Sequence, residues 1–178
     1  MQLYLDTEFT GLNQSAEFIS IALVSADERT FYAEFIDYDP TKLSNWHHEN
    51  VLPQLVLQAS NANDSNRNQH WEVLGNREAI AADLRTWLTQ FETIEIWADC
   101  LAYDWVLFCE LFGGSLHLPA NVFYIPFDLA TLLKIRGIDP DISRLQFLND
   151  QNISIRGLSQ HNALADAKIL KKCYELLT

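Results

Sequence analysis

Residues 3–12 read Leu3-Tyr4-Leu5-Asp6-Thr7-Glu8-Phe9-Thr10-Gly11-Leu12, and the predicted architecture is built around them. Leu3 and Leu5 are apolar and two residues apart, which is typical of a β-strand. Asp6 and Glu8 have the same spacing, so both carboxylates project from one face where the strand ends. Two adjacent acids repel each other, and burying them is costly unless a cation lies between them. Carboxylate oxygens suit Mg²⁺ or Mn²⁺, so the pair indicates a metal site; the alternative is an ordinary polar strand end.

Composition sets the broad class of protein. The chain has 178 residues, of which 48 % are hydrophobic and 20 % are charged. This length and composition predict one soluble globular domain over residues 1–178. It has no long apolar run and no basic segment leading into an apolar one at its start, so we expect no membrane span and no secretion signal. The three cysteines (Cys100, Cys109 and Cys173) form no C-x-x-C pair, which favours free buried thiols and a cytoplasmic location.

The formal net charge of −12 restricts the kind of nucleic-acid partner. Non-specific affinity for nucleic acids comes mainly from Lys and Arg, so this charge argues against an extensive duplex-binding surface. It leaves open an enzyme that holds a short end through metal ions. A basic track is expected, if at all, from Arg136, Arg144 and Arg156 or from a second subunit.

Hydrophobic patterning predicts a mixed five-stranded sheet flanked by helices. Three strands, beginning with residues 3–9 and followed by 17–25 and 30–36, form an antiparallel meander because their connections are short. Two more strands, at 93–98 and 122–125, are added in parallel through helical crossovers. Helices are predicted over residues 77–91, 102–112, 127–136 and 162–177, with a weaker one near 143–149.

Residues 40–76 are predicted to be a long loop-rich insertion with a short helix near 51–58. Prolines interrupt the segment, and asparagines give it little periodicity. Its histidines are interpreted as solvated loop residues rather than metal ligands. The role of the segment stays open between a substrate lid, a dimer element and a plain loop. The side chains concerned are Trp46, His47, His48, Asn61, Asn63, Asn66, Asn68, His70 and Trp71.

A second acidic segment crosses from a strand end into a helix, Ile96-Trp97-Ala98-Asp99-Cys100-Leu101-Ala102-Tyr103-Asp104-Trp105. Asp99 lies at the strand terminus, where an acid also serves as an N-cap or loop residue. Asp104 lies in the first turn of the helix, where an acid also offsets the helix dipole.

A third segment reads His161-Asn162-Ala163-Leu164-Ala165-Asp166-Ala167-Lys168. Asp166 is followed by Ile169, Leu170 and Cys173 at helical spacing, so it lies on the apolar stripe of its own helix. An acid on a core-facing stripe should be paired or should bind a metal. His161 precedes this helix by about one turn and can overhang the same site; the alternative is a structural hydrogen-bonding histidine.

These residue types support one chemistry. Carboxylates from separate elements can hold two divalent cations about 3.5–4 Å apart, the arrangement used for phosphodiester hydrolysis. One ion lowers the pKa of a water molecule and the other stabilises the leaving 3′ oxygen. A histidine that titrates near neutral pH suits the role of general base.

The three segments resemble the three motifs of the DEDD (DnaQ-like) 3′-5′ exonuclease superfamily, in its histidine-bearing branch. Residues 5–12 are similar to motif one, and residues 161–167 match the H-x-A-x-x-D-A pattern of motif three. Ala102-Tyr103-Asp104-Trp105 resembles the A-x-F-D segment of motif two, with Tyr103 in place of Phe. The resemblance spans almost the whole chain and is nearest to small stand-alone exoribonucleases similar to ribonuclease T.

The resemblance implies a ribonuclease H-like fold and a metal-dependent 3′-5′ exoribonuclease acting on single-stranded RNA or short 3′ overhangs. It implies two Mg²⁺ or Mn²⁺ ions per active site, release of nucleoside 5′-monophosphates, and often a homodimer. The implied metal ligands and catalytic residues are Asp6, Glu8, Asp104 and Asp166, with His161 as the general base. The implied substrate loop, which meets the terminal nucleotide, is Phe9, Thr10, Gly11 and Leu12.

One departure from the family pattern affects motif two. The family reads H-N-A-x-F-D, whereas here the positions are Asp99-Cys100-Leu101-Ala102-Tyr103-Asp104. This makes Asp99 a rival to Asp104 as metal ligand, although the aromatic-Asp pair favours Asp104. Two alternatives stay open: a DNA exonuclease of the proofreading type, since 2′-hydroxyl contacts cannot be read here, and a non-catalytic binding module, which would lack a ligand or the base.

Overall fold

The computed structural model describes residues 1–60, 65–67, 69–99 and 101–178, which form a mixed β-sheet with helices on both faces. This confirms the predicted α/β class and is consistent with a ribonuclease H-like fold. The strands of the described residues are β1 (Gln2–Phe9), β2 (Phe18–Ser25), β3 (Thr30–Phe35), β4 (Ser65–Arg67), β5 (His70–Gly75), β6 (Glu95–Ala98) and β7 (Phe127–Asp128). Their order across the sheet is β4-β5-β3-β2-β1-β6-β7.

The helices follow the apolar stripes of the sequence, and several of them begin at side-chain caps. Asn76, Asp128 and Asn162 each accept a backbone N–H of the first turn of the helix that follows. The helices are α1 (Asn45–Asn50), α2 (Leu57–Ser60), α3 (Arg77–Leu88), α4 (Ala102–Leu111), α5 (Leu129–Ile135), α6 (Arg144–Asp150) and α7 (Ala163–Leu177). Among the described residues, none of these helices has both the length and the apolar content needed to cross a bilayer.

The centre of the sheet is β1, which pairs antiparallel with β2 and parallel with β6. The meander continues into β3, and β6 pairs in parallel with β7, as the connection lengths predict. Because side chains alternate along a strand, Leu3 and Leu5 enter the core beneath α3 and α4, whereas Tyr4 enters the core beneath α5, α6 and α7. The same alternation places Asp6 and Glu8 on the α7 side of the sheet.

The prediction of five strands was wrong, because the described sheet has seven. Strand β5 extends the sheet by pairing in parallel with β3, and β4 pairs antiparallel with β5. Only Val73 of β5 is buried, so this strand carries little of the alternation by which strands are recognised. The strand predicted at 122–125 is reduced to a single bridge between Ile94 and Val122, and β7 begins later.

The prediction of a loop-rich insertion at residues 40–76 was also wrong. The segment contains α1, α2, β4 and β5, together with 3₁₀ turns at Pro40–Lys42 and Leu52–Gln54. Its His47 is buried rather than solvated, whereas His48 and His70 are exposed as predicted. Asn61, Asn63 and Asn68 lie outside the described residues. Of the cysteines, Cys109 and Cys173 are free and buried, which confirms the prediction for these two, and Cys100 lies outside the described residues.

Candidate active site

The site begins where β1 continues past its parallel neighbour. Pairing between β1 and β6 ends at Leu5 and Ala98, whereas pairing with β2 continues to Phe9. The last part of β1 therefore has an open edge. Asp6 and Glu8 lie on this part of the strand, and their side chains are partly buried.

The structure brings three of the predicted acids together. Asp6 and Glu8 from β1 and Asp166 from the first turn of α7 have carboxylate oxygens within 4.8 Å of one another. Asp166 reaches this position because Ile169, Leu170 and Cys173 bury the same side of α7 against the core. Three oxygen ligands from two rigid elements fit a divalent cation such as Mg²⁺ or Mn²⁺.

The electrostatics of this group indicate that it is suited to a cation. Desolvation, followed by repulsion from Asp104, Asp166 and Glu8, raises the pKa of Asp6 well above its ordinary value. Desolvation and then repulsion from Asp166 and Asp104 raise the pKa of Glu8 to about 8. Desolvation also raises the pKa of Asp166 to about 6. A bound divalent ion would reverse these shifts, because it stabilises the charged form of each carboxylate.

Asp104 lies beside this group rather than within it. The side chain is buried in the first turn of α4, and its Oδ1 accepts the backbone N–H of Thr7 at 3.1 Å and the Thr7 hydroxyl. That N–H lies on the part of β1 beyond its pairing with β6. Burial raises the pKa of Asp104 to about 7, although the hydrogen bonds from Thr7 oppose the shift.

Asp99, the alternative to Asp104 as the ligand of motif two, forms an ion pair with Arg144. Its Oδ1 accepts a hydrogen bond from Nη2 of Arg144, and its Oδ2 accepts one from Nε of Arg144, each at 2.7 Å. Arg144 also donates to the carbonyls of Pro140 and Ile142. Such a two-pronged pair is specific in geometry and neutralises the acid. Arg144, which was expected in a basic track, is thereby engaged in an ion pair at the edge of the site.

His161 is held next to the acids by its backbone. The residue has a φ of +63°, in the left-handed region, and its N–H donates to Oδ2 of Asp166 at 2.8 Å. Its ring meets the ring of Trp46 edge-on, with centroids 4.9 Å apart. His161, Asp6 and Asp166 line one cavity of about 380 Å³, and Asp99 and Arg144 line the same cavity.

The predicted substrate loop forms one wall of a second cavity. This cavity of about 460 Å³ borders Glu8 and is closed on its other side by α1. The ring of Phe9 stacks on that of Tyr103, and the Tyr103 hydroxyl donates to the carbonyl of Leu12 at 3.2 Å. Leu12 keeps its side chain 71 % exposed, whereas Thr10 is buried. The cavity is lined by Thr7, Glu8, Phe9, Gly11, Leu12, Ser44, Trp46 and His47.

Trp46 and His47 were not identified as site residues from the sequence. The available signal was local: Ser44 precedes them as an N-cap, and two aromatic rings in succession are unusual in a polar segment. His47 contacts Phe9, 38 residues away, and Trp46 contacts His161, 115 residues away. No local sequence pattern reveals contacts over such separations.

Comparisons with known proteins identify the family of the chain. The model of the Rv2179c-like 3′-5′ exoribonuclease domain matches residues 1–178. Two proteins of Mycobacterium tuberculosis are each 31 % identical to the chain over 180 residues, covering all of this chain and 94 % of each relative. They are named 3′-5′ exoribonuclease MT2234.1 (strain CDC 1551 / Oshkosh) and 3′-5′ exoribonuclease Rv2179c (strain ATCC 25618 / H37Rv). The chain therefore belongs to the Rv2179c-like 3′-5′ exoribonuclease family, and its enzymatic class is that of a 3′-5′ exonuclease.

Proposed function

We propose that this protein is a histidine-type DEDD exonuclease that removes nucleotides from the 3′ end of RNA with two divalent metal ions. The observation that carries the proposal is the convergence of Asp6, Glu8 and Asp166, whose mutual repulsion adds to the desolvation that raises the pKa of Asp6. Membership of an exoribonuclease family and the names of the two relatives support RNA as the substrate.

The proposed roles follow the positions of the side chains. Asp6, Glu8 and Asp166 would hold the ions, and Asp104 would complete the ligand set from the adjacent helix. When bound, the ions lower the pKa of a water molecule and stabilise charge on the leaving oxygen. His161 takes the proton of that water, whose oxygen bonds to the last phosphodiester phosphorus. The bond from phosphorus to the preceding 3′ oxygen breaks, and a nucleoside 5′-monophosphate leaves.

The second cavity is proposed to hold the terminal nucleoside. It borders Glu8, so a nucleoside seated there would place its phosphate near the acids. Leu12 offers an exposed apolar side chain against a base, and Gly11 allows the substrate to approach the backbone. Tyr103 fixes the carbonyl of Leu12 and thereby the shape of the loop.

The surface charge limits the expected contact with long RNA. Arg144 is engaged by Asp99, and Arg156, Lys168 and Lys172 line a cavity of about 210 Å³ together with Glu28 and Glu175. We expect modest affinity and a salt dependence that corresponds to only about two or three phosphate contacts. A homodimer, which the superfamily resemblance implies, and a cytoplasmic location stay predictions; sedimentation and cell fractionation would test them.

One assay tests the proposal and its alternatives. A 3′-overhang RNA and the matching DNA are incubated with the protein in Mg²⁺, Mn²⁺ or EDTA, beside Asp6→Ala. Glu92→Gln is the matched control, because Glu92 is an exposed acid in the loop before β6. Stepwise shortening of RNA that EDTA and Asp6→Ala abolish would support the proposal.

Each other result favours an alternative. Faster shortening of DNA would favour the proofreading type of exonuclease. Binding without shortening of either strand in Mn²⁺ would favour a non-catalytic module. Activity that persists in Asp6→Ala would refute the metal site.

A further inference from the structure

The short helix α1 carries two neighbouring side chains that contact opposite sides of the active site. His47 reaches the substrate loop, and Trp46 reaches the histidine beside the acids. The rings of the two residues also meet edge-on, with centroids 5.4 Å apart. Both lie in the segment 40–76, for which the sequence predicted a loop-rich insertion with a short helix near 51–58.

His47 connects the start of α1 to the carbonyl of Phe9. Its Nδ1 lies 3.0 Å from the backbone nitrogen of Ser44, which can only donate, so Nδ1 is the acceptor. The proton is therefore on Nε2, which donates to the Phe9 carbonyl at 3.1 Å. His47 occupies the position that Glu or Gln has in a capping box, but it makes a second bond that a capping residue does not need.

Trp46 limits the orientation of the His161 ring. The two rings meet at 79°, an edge-to-face arrangement that aromatic rings prefer. His161 has a left-handed backbone, which is uncommon for a residue with a side chain and persists only where contacts hold it. Its backbone is held by Asp166, and its ring is held by Trp46. Trp46 is itself 48 % exposed, so its side chain is not explained by burial in the core.

We propose that α1 is a positioning element of the exonuclease. His47 holds the Phe9 carbonyl, and with it the loop that meets the terminal nucleoside. Trp46 holds the imidazole of His161 in the orientation for proton transfer. The proposal rests on the function proposed above, since it assigns these residues to steps of that reaction. The competing explanation is that both residues only stabilise α1.

The test for Trp46 separates kcat from KM on a short RNA. We expect Trp46→Ala to lower kcat about tenfold or more with KM within about twofold, because misplacement of a reacting group slows the chemical step. Trp46→Phe keeps a ring edge and should recover most of kcat. His48→Ala is the matched control, because His48 is the next-but-one residue on α1 and is exposed. A rise of KM alone would overturn this role and make Trp46 a wall of the nucleoside cavity.

The test for His47 rests on His47→Asn, which can keep the contact to Ser44 but not the contact to Phe9, whereas His47→Gln can keep either contact because Gln also serves at this position of a capping box. Gln carries an amide N–H at about the reach of Nε2, and Asn carries an acceptor at about the place of Nδ1. If His47 positions the loop, His47→Ala and His47→Asn should raise KM about five- to tenfold, as expected for one lost hydrogen bond, and His47→Gln should restore it. If His47 only caps α1, His47→Asn should restore KM as well as His47→Gln does, and the proposal fails.

Two controls separate failure of this proposal from failure of the proposed function. Wild-type protein that does not shorten RNA would refute the function itself. Active wild-type protein with Asp6→Ala inactive, and with Trp46→Ala and His47→Ala indistinguishable from His48→Ala, would refute only the role of α1. Thermal unfolding of each variant shows whether it is folded; an effect on kcat or KM in folded protein that tracks the lost contact supports the proposal.

Discussion

Glu34 on β3 and the two acids of β1 lie on the same sheet but have different kinds of neighbours. Glu34 on β3 is completely buried, yet its carboxylate is surrounded by donors: the Tyr32 hydroxyl at 2.7 Å and the backbone N–H groups of Val56, Leu57 and Gln58 at 2.6–2.9 Å. Those N–H groups belong to the first turn of α2, which has no partners for them within the helix. The hydrogen bonds to Glu34 therefore hold the start of α2 against the sheet.

The acids on β1 have other acids as neighbours. Asp6 and Glu8 face Asp166 and Asp104, and desolvation together with repulsion from these neighbours raises the pKa of both. The contrast shows how an acid that stabilises the fold can be distinguished from one that serves chemistry. The first is surrounded by hydrogen-bond donors of the protein, and the second by carboxylates that need a cation from outside.

Replacing an acid of the second kind should have the largest effect on activity. We expect Asp166→Asn to lower kcat/KM about a thousandfold, since metal-ion stabilisation of the transition state amounts to several kcal/mol. The metal-free protein should melt no lower than wild type, because one repelling charge is gone. Quench-flow or gel assays give the rate, and calorimetry in EDTA gives the melting temperature. A large loss of stability would show that Asp166 is structural.

Replacing Glu34 should have the reverse pattern. Glu34→Gln turns one acceptor oxygen into an NH₂ group that faces N–H donors, and we expect the free energy of unfolding to fall by about 2–4 kcal/mol. The specific activity of the folded fraction should stay within about twofold of wild type. Urea unfolding followed by circular dichroism measures the first quantity. Unchanged stability would mean that the bonds to α2 contribute little.

The acidic group should also make stability depend on pH in the absence of metal. Desolvation raises the pKa of Glu8 to about 8, of Asp104 to about 7 and of Asp166 to about 6. The folded protein therefore binds more protons than the unfolded chain above about pH 4, so its stability should fall as the pH rises from about 5 to 8. Saturating Mn²⁺ should flatten this decline. Melting temperatures across this range in EDTA and in Mn²⁺ measure it, and a rise with pH in EDTA would contradict it.

Asp99 is an intermediate case, because it lies near the site but has Arg144 as its partner. We expect Asp99→Asn to lower kcat/KM by about tenfold, the lower end of what replacing an acid beside a ligand set usually costs. Asp104→Asn should lower it by at least about a hundredfold. Parallel kinetics of the two variants in Mg²⁺ decide between the two acids, and the reverse order would transfer the motif-two role to Asp99.

The sequence predicted those features that depend on local spacing. The period of two in β1 placed Asp6 and Glu8 on one face, and the helical stripe of α7 placed Asp166 against the core. The structure brings these three acids together, as the motifs implied. Their roles, and that of His161, stay predictions until activity is measured.

Features that depend on tertiary contact were not predictable in the same way. Asp99 and Arg144 pair across 45 residues, and nothing in the spacing of either indicates the other. His47 is buried only because α1 folds back onto the loop of β1. Strand β5 takes its place through pairing with β3 rather than through its own alternation.

The alternation along β1 links its strand register to its chemistry. A slip of one residue against β2 would turn Asp6 and Glu8 toward α3 and α4 and bring Leu5 and Thr7 beneath α7. The apolar residues that fix the register, Leu3 and Leu5 on one face and Tyr4 on the other, thus also determine which side chains of β1 meet Asp166. Core substitutions far from the acids that shift this pairing should then lower activity, because they displace both carboxylates of β1 together.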